Sequence, residues 1–272
     1  MELMPWQVLV ATVATEYDPE TGFPYYREIF VTTPRQAGKT TLILILLIVR
    51  CLSQENQACV WTGQDGQSIK RKWFNEIIPL LERTKLFPLI SMVRKANGSE
   101  SLKWETGSRI ELLPTSETAG HGMVLDFAVM DEIFSDQDNR REAALVPAMA
   151  TKQDAQILTC STAGTAASLV YNRKVRLGRA AVAEGKDFGL AYFEWSAPAE
   201  WDQNDDKSFE LFHPAFNRTI FLPAVQAARD SLEGEAGEFA RAWGNRPQVD
   251  SGSVFPAPVW ARCVSRSAAP DL

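Results

Sequence analysis

One short stretch limits the fold more than any other: Thr32-Thr33-Pro34-Arg35-Gln36-Ala37-Gly38-Lys39-Thr40-Thr41. From Thr33 to Thr40 it follows the phosphate-loop pattern G-x-x-x-x-G-K-[ST], with Thr33 in place of the first glycine. That pattern works only as a tight turn between a strand and a helix, where successive backbone N–H groups point inward at an anion. Glu28 to Thr32 reads as the short apolar strand before the turn. Lys39 to Leu52 reads as a helix apolar on nearly every side, hence buried. Its N-terminal N–H groups and dipole favour an anion at the loop.

The order of elements extends this unit. Ala58 to Thr62 is a second β-rich run, followed by a helix from about Ser68 to Leu81. Ser101–Glu105 and Arg109–Leu113 alternate around Thr106-Gly107, the pattern of a hairpin. Asp126–Met130 and Gln156–Cys160 are apolar strands separated by a helix over Asn139–Ala150. Strand, helix, strand implies a mostly parallel sheet with right-handed crossovers, whose ligands bind at the carboxyl ends of the strands. The expected class is therefore α/β with a nucleotide-binding core over residues 1–165. After Gly164 the character changes: a helix over Arg173–Ala183, a strand over Leu190–Trp195, acidic turns and one helix from about Pro223 to Trp243. This predicts a small second subdomain over 166–250.

Composition sets limits. The chain has 272 residues, 45% of them apolar, enough for a full core. Its longest aliphatic run, Leu42 to Val49, falls far short of the ~20 residues that cross a bilayer. The start, MELMPWQVLV, is not a secretory signal, so a cytoplasmic location is expected. Four cysteines without C-x-x-C spacing and two histidines argue against zinc. A net charge of −6 argues against DNA coating the whole surface. The clusters Lys70-Arg71-Lys72 and Arg173-Lys174 with Arg176 and Arg179 read as solvated helix faces.

The motifs define a chemistry. Phe127-Ala-Val-Met-Asp131-Glu132 carries two carboxylates to the end of a buried strand. Asp131 there can hold Mg²⁺ through water beside the Thr40 hydroxyl, and Glu132 can act as base for an attacking water. Lys39 would neutralise β- and γ-phosphate oxygens, and Arg35 would reach the γ-phosphate or sense its loss. Cys160-Ser161-Thr162-Ala163-Gly164-Thr165 ends the next strand in small hydroxyl residues suited to coupling hydrolysis to motion. Pro5-Trp6-Gln7 offers an aromatic face and an amide that can pair with adenine.

Together PWQ, TTPRQAGKTT, FAVMDE and CSTAG, in this order, resemble the ATPase part of the large terminase subunit of tailed phages. AYFEWSAPAEWDQND with HPAFN resembles that family's lid segment, and GEFARAWGNRPQ its closing helix. The resemblance implies a P-loop NTPase of the RecA/ASCE type with a small C-terminal lid, hydrolysing ATP with Mg²⁺ to drive double-stranded DNA into a prohead. It implies that Gln7 contacts adenine and that Thr33, Pro34, Arg35, Gln36, Ala37, Gly38, Lys39, Thr40 and Thr41 bind phosphates. Thr40 and Asp131 would hold Mg²⁺, Glu132 would activate water, and Ser161 and Thr162 would couple. Implied partners are DNA, a portal protein, a small terminase subunit and a homo-oligomeric ring, commonly a pentamer, in the cytoplasm of the infected bacterial host.

Three departures from the family stand out. Thr33 replaces a glycine. Gly120-His121-Gly122 stands where the family often has Arg-Gly, and a neutral histidine cannot replace a permanent cation; a trans-acting finger would come from elsewhere, with Arg140 or Arg141 as candidates. The family's nuclease domain would follow GSVFPAPVWARC, so residues 251–272 read as the start of a linker and no DNA cleavage is expected. A helicase-type ATPase, a small-molecule kinase, and a non-hydrolysing DNA- or portal-binding module are the alternatives. The first of these usually needs a second RecA-like domain, and no second phosphate loop appears in the sequence.

Overall fold

The computed structural model describes residues 2–96, 98–114, 122–186 and 188–248. In chain order the elements are α1 (Pro5–Ala14), β1 (Tyr26–Thr32), α2 (Lys39–Ser53), β2 (Ala58–Thr62), α3 (Gly66–Lys72), α4 (Ile78–Glu82), β3 (Ile90–Arg94), β4 (Ser101–Trp104), β5 (Arg109–Leu113), β6 (Phe127–Asp131), α5 (Arg140–Ala148), β7 (Gln156–Ser161), α6 (Leu169–Ala183), β8 (Gly189–Glu194), α7 (Phe209–Phe212), α8 (Leu222–Ser231) and α9 (Ala236–Gly244).

The strands form one eight-stranded sheet in the order β3-β4-β5-β2-β6-β7-β1-β8. From β5 to β8 every pairing is parallel; β3 and β4 add an antiparallel edge, β4 and β5 forming the expected hairpin. Every residue of β2, β6 and β7 is buried, as continuous apolar runs must be when helices cover both faces. One core layer joins α1, α2 and the α3–α4 segment to the sheet, and the other lies under α5 and α6.

β7 lies between β6 and β1, and this order brings distant motifs together. Asp131 of β6 is in register with Cys160 of β7, and Thr32 of β1 with Ser161. The phosphate loop, the acid pair and the hydroxyl segment thus leave the same edge on adjacent strands.

Three expectations are corrected. The strand after α6 does not belong to a separate subdomain: β8 pairs with β1 from Tyr26↔Gly189 to Thr32↔Glu194, so the sheet continues past residue 165 to Glu194. The single helix over Pro223–Trp243 is two, α8 and α9, with Gly234 at φ +86° between them, a conformation that only glycine adopts freely. The helix over Ser68–Leu81 begins earlier, where Asp65 Oδ1 accepts from Ser68 N at 2.8 Å. It is also interrupted by a π-helical turn over Trp73–Ile77, closed by Ile78 N donating to Trp73 O. Pro79 explains the interruption, since it lacks an N–H and its ring would strike the carbonyl four residues back. Helix α1 and strand β3 lie outside the segments assigned from sequence. Helix α1 starts with Pro5 at its first position, a site that proline favours, and Gln7 Oε1 accepts from Met4 N at 2.8 Å.

Beyond β8, an aromatic cluster carries the C-terminal segment: Trp201 meets Phe209 at 5.5 Å, Phe212 at 5.2 Å and Phe239 at 6.0 Å between ring centroids. It fixes α9 beside the phosphate loop, where Ala242 O accepts from Arg35 N at 2.9 Å.

Candidate functional site

The loop between β1 and α2 is built without the missing glycine. Thr33 is fully buried and its N–H donates to Ser161 O at 3.1 Å. Its φ is not positive; in this loop the left-handed residues are Gln36 (φ +58°) and Gly38 (φ +97°). A side chain at Gly38 would be strained by the left-handed backbone, and its Cβ, 2.8 Å from Gln7 Nε2, would also push that amide from its place. Gln7 itself is buried, and its amide donates to Gly38 O at 2.9 Å. In this state the side chain expected to read adenine braces the loop instead.

Lys39 is the centre of the site. Its side chain is buried, and Nζ donates to Thr162 Oγ1 at 2.8 Å and to Pro34 O at 3.5 Å, with Glu132 Oε1 at 3.8 Å. Loop, acid pair and hydroxyl segment therefore converge on one ammonium group. Asp131 is buried, and burial first, then the neighbouring Glu132 charge, push its carboxyl up to about 6 against the opposing charges of Lys39, Lys72 and Arg141. Asp131 Oδ1 has no hydrogen-bond partner among the described residues.

Glu132 turns the chain sharply. It sits at φ +56°, its N–H donating to Cys160 O at 2.8 Å. Such a conformation in a residue with a Cβ costs about 1–3 kcal/mol and persists only where its surroundings impose it. Arg141 helps to do so: its guanidinium donates to Asp131 O at 3.0 Å and to both Asp136 carboxylate oxygens at 2.8 Å. Arg141 is thus a buried brace and not a candidate for reaching another molecule. Arg140 is exposed and pairs with Asp138 at 2.6 Å. His121 lies outside the described residues.

Ser161 and Thr162 are fully buried. Ser161 Oγ accepts from Phe134 N at 3.1 Å and donates to Thr162 O at 2.8 Å, tying this segment to the turn after Glu132. Asn245, just past α9, holds the neighbouring strand ends: its Oδ1 accepts from Ala163 N at 2.6 Å, and its Nδ2 donates to Trp195 O and to Thr32 Oγ1, each at 2.9 Å.

These groups border a cleft of about 780 Å³ lined by Gln36, Ala37, Gly38, Lys39, Thr40 and Thr41, by Asp131 and Glu132, and by the apolar flank of α2 facing α4. The helix expected to be wholly enclosed therefore turns Leu44, Ile45 and Ile48 to this cleft. Arg35 is not among its lining residues. It is half exposed, with Nη1 3.9 Å from Glu238 Oε1 of α9. A second hollow of about 620 Å³, between Trp201 and Phe239, contains none of these groups.

The two basic clusters are only partly solvated faces: Arg71, Arg176 and Arg179 are exposed, while other members are paired or turned inward. Lys174 is buried between Glu28 and Glu142, at 2.5 and 2.9 Å, and Arg179 pairs with Glu194 at 2.6 Å. Lys70 pairs with the buried Glu100 at 2.8 Å, and Lys72 lines the cleft. Sequence reasoning also missed the bracing role of Arg141 and all of Asn245. An Asn between a helical stretch and Pro247 is a signal for a left-handed helix end, and Asn245 has φ +52°.

The family model "Terminase large subunit, T4likevirus-type, N-terminal" matches residues 31–258. No curated protein matches the chain. Among solved structures, the large terminase of bacteriophage HK97 superposes with a TM-score of 0.74 at 19% identity, covering 91% of this chain and 51% of that one. The large terminase of a thermophilic bacteriophage, solved in complex with ADP, gives 0.52 at 14%, covering 71% and 45%. The ATPase domain of the large terminase of Thermus phage P74-26 gives 0.53 at 12%, covering 90% and 99%. The chain thus spans about half the length of the first two of these proteins. At these identities the superpositions speak for the fold.

Proposed function

Because the chain belongs to the large terminase subunit family through the N-terminal part of that protein, we propose that it hydrolyses ATP with Mg²⁺ to power movement of double-stranded DNA into a prohead. The observation that carries this reading is the convergence of Lys39 on Thr162 and Glu132 beside a buried Asp131. ADP in the thermophilic bacteriophage terminase supports the nucleotide class.

The residues suit magnesium. Among the described residues no group of three or more His, Cys, Asp or Glu could hold a metal alone. Mg²⁺ typically takes one or two carboxylates and completes its shell with water and substrate phosphate. The unpartnered Asp131 Oδ1 and the Thr40 hydroxyl, lining one cleft, would hold it. When bound it supplies charge neutralisation at the phosphates.

Within the chain, Lys39 exchanges Thr162 for phosphate oxygens and neutralises charge that grows in the transition state. Glu132, partly exposed to the cleft, orients a water and takes its proton. Freed from Lys39, Thr162 reports the occupancy of the loop to Ser161 and the turn after Glu132. Gln7 reads adenine by exchanging its bond to Gly38 O, and Arg35 answers the γ-phosphate by leaving Glu238. DNA, portal protein, small subunit and a ring of copies are the partners of this reading, with the segment after β8 as the lid.

Lys39→Ala tests it. Titration calorimetry should show Mg-ATP binding to the wild-type chain and a loss of about 100-fold or more in the variant; equal affinity would remove the loop from the nucleotide site.

A further inference from the structure

The cleft has two walls. One is the phosphate loop with α2; the other is the segment running from the end of α3 through the π-helical turn into α4, which contributes Lys72, Glu76, Ile77, Leu80 and Leu81. Lys72 is the one cation among the described residues of that second wall. It is half-buried, and no carboxylate among the described residues lies within ion-pair distance of its ammonium group, whereas Lys70, two residues earlier, is held by Glu100. Lys72 lines the same cleft as Asp131 and Glu132.

The π-helical turn begins at Trp73, directly after Lys72. Trp73 is fully buried against Trp61 of β2, the rings 6.3 Å apart, so the backbone that carries Lys72 is anchored to the sheet. Single π turns within helices recur at functional sites. A lysine on an anchored backbone, lining the same cleft as Lys39 and held by no carboxylate among the described residues, is placed to meet an anion that enters the cleft.

We propose that Lys72 is a second phosphate-binding cation of this site, engaging the terminal phosphate of a nucleoside triphosphate from the wall opposite the loop. The assignment rests on reading the cleft as an ATP site. It selects the terminal phosphate because the phosphate attacked by water activated at Glu132 must lie beside the acid pair that lines the cleft with Lys72.

Calorimetry with Mg²⁺ and either a non-hydrolysable ATP analogue or ADP tests this on the 272-residue chain. Lys72→Met should weaken the triphosphate analogue about ten-fold or more and ADP less than about three-fold, and Lys72→Arg should recover most of the loss. Should the methionine variant fail to fold, Lys72→Gln, which keeps length and polarity, should give the same selective loss. Wild-type affinity for both nucleotides, equal weakening of both, or no recovery with arginine would each overturn the proposal. Lys39→Ala separates the two levels. If it loses nucleotide while Lys72→Met does not, only Lys72 is misassigned; if neither variant alters binding, the cleft itself is.

Discussion

Lys39 Nζ donates to Thr162 Oγ1 at 2.8 Å, joining residues 123 positions apart inside the protein. The contact has a consequence that depends on what occupies the loop. Thr162→Val keeps the shape of a fully buried side chain but removes the acceptor from a buried cation. Without ligand the variant should lose about 1–3 kcal/mol of stability. Saturating Mg-ATP should restore most of this, because phosphate oxygens replace the lost acceptor. Thermal unfolding with and without nucleotide measures it; an identical deficit in both conditions would contradict the exchange.

Asn245 bonds to three backbone or side-chain groups from separate segments, at φ +52°. Asn245→Ala leaves Ala163 N–H and Trp195 O without these partners and places a less tolerant side chain in left-handed backbone. The expected cost is about 3 kcal/mol or more. Asn245→Gly should be milder by about 1 kcal/mol, since it removes the backbone strain and leaves the unpaired groups. Urea unfolding of both variants checks the order, and equal stabilities would exclude a backbone contribution.

His213 is buried beside Phe209 and Trp243, and neither ring nitrogen has a partner among the described residues. Burial lowers its pKa from the ordinary 6.5 to about 4. The unfolded chain therefore takes up a proton below about pH 6.5 that the folded chain refuses. This contribution to stability is complete above that pH and is lost as pH falls toward the folded value. Between pH 7.5 and 5 it amounts to about 2 kcal/mol. His213→Phe should flatten that part of the stability profile; an unchanged slope would show that other groups cause it.

How much of this was legible in the sequence depends on the kind of signal. β6 and β7 are continuous apolar runs ending in the candidate site residues, so their burial, their direction and the meeting of their ends could be read together. The membership of β8 in the sheet could not, because a strand's sequence does not state which neighbour it joins; Trp195 N, just past that strand, bonds back to Thr32 O at 2.9 Å only once the chain has folded. Thr33 proved easy to accommodate because its backbone never enters the left-handed region. Lys72 was hidden by its neighbours Lys70 and Arg71, which make a run of charges read as a wet surface. The stripe Ile69, Trp73, Ile77 marks the buried side, and only the fold shows that Lys72 lines the cleft. Arg141 reads in the sequence as a candidate for acting in trans, and only the fold shows that it braces the backbone behind Glu132.

In the proposed mechanism hydrolysis depends most directly on Glu132, and one paired measurement decides its role: Mg-ATP binding and phosphate release, with double-stranded DNA present, for the wild-type chain and Glu132→Gln. The variant should bind ATP within about three-fold of wild type while phosphate release falls by about 100-fold or more, as expected when a positioned base is removed and binding contacts stay. Phosphate release by the variant at the wild-type rate would contradict the assignment of the water-activating group and, with it, the proposed engine.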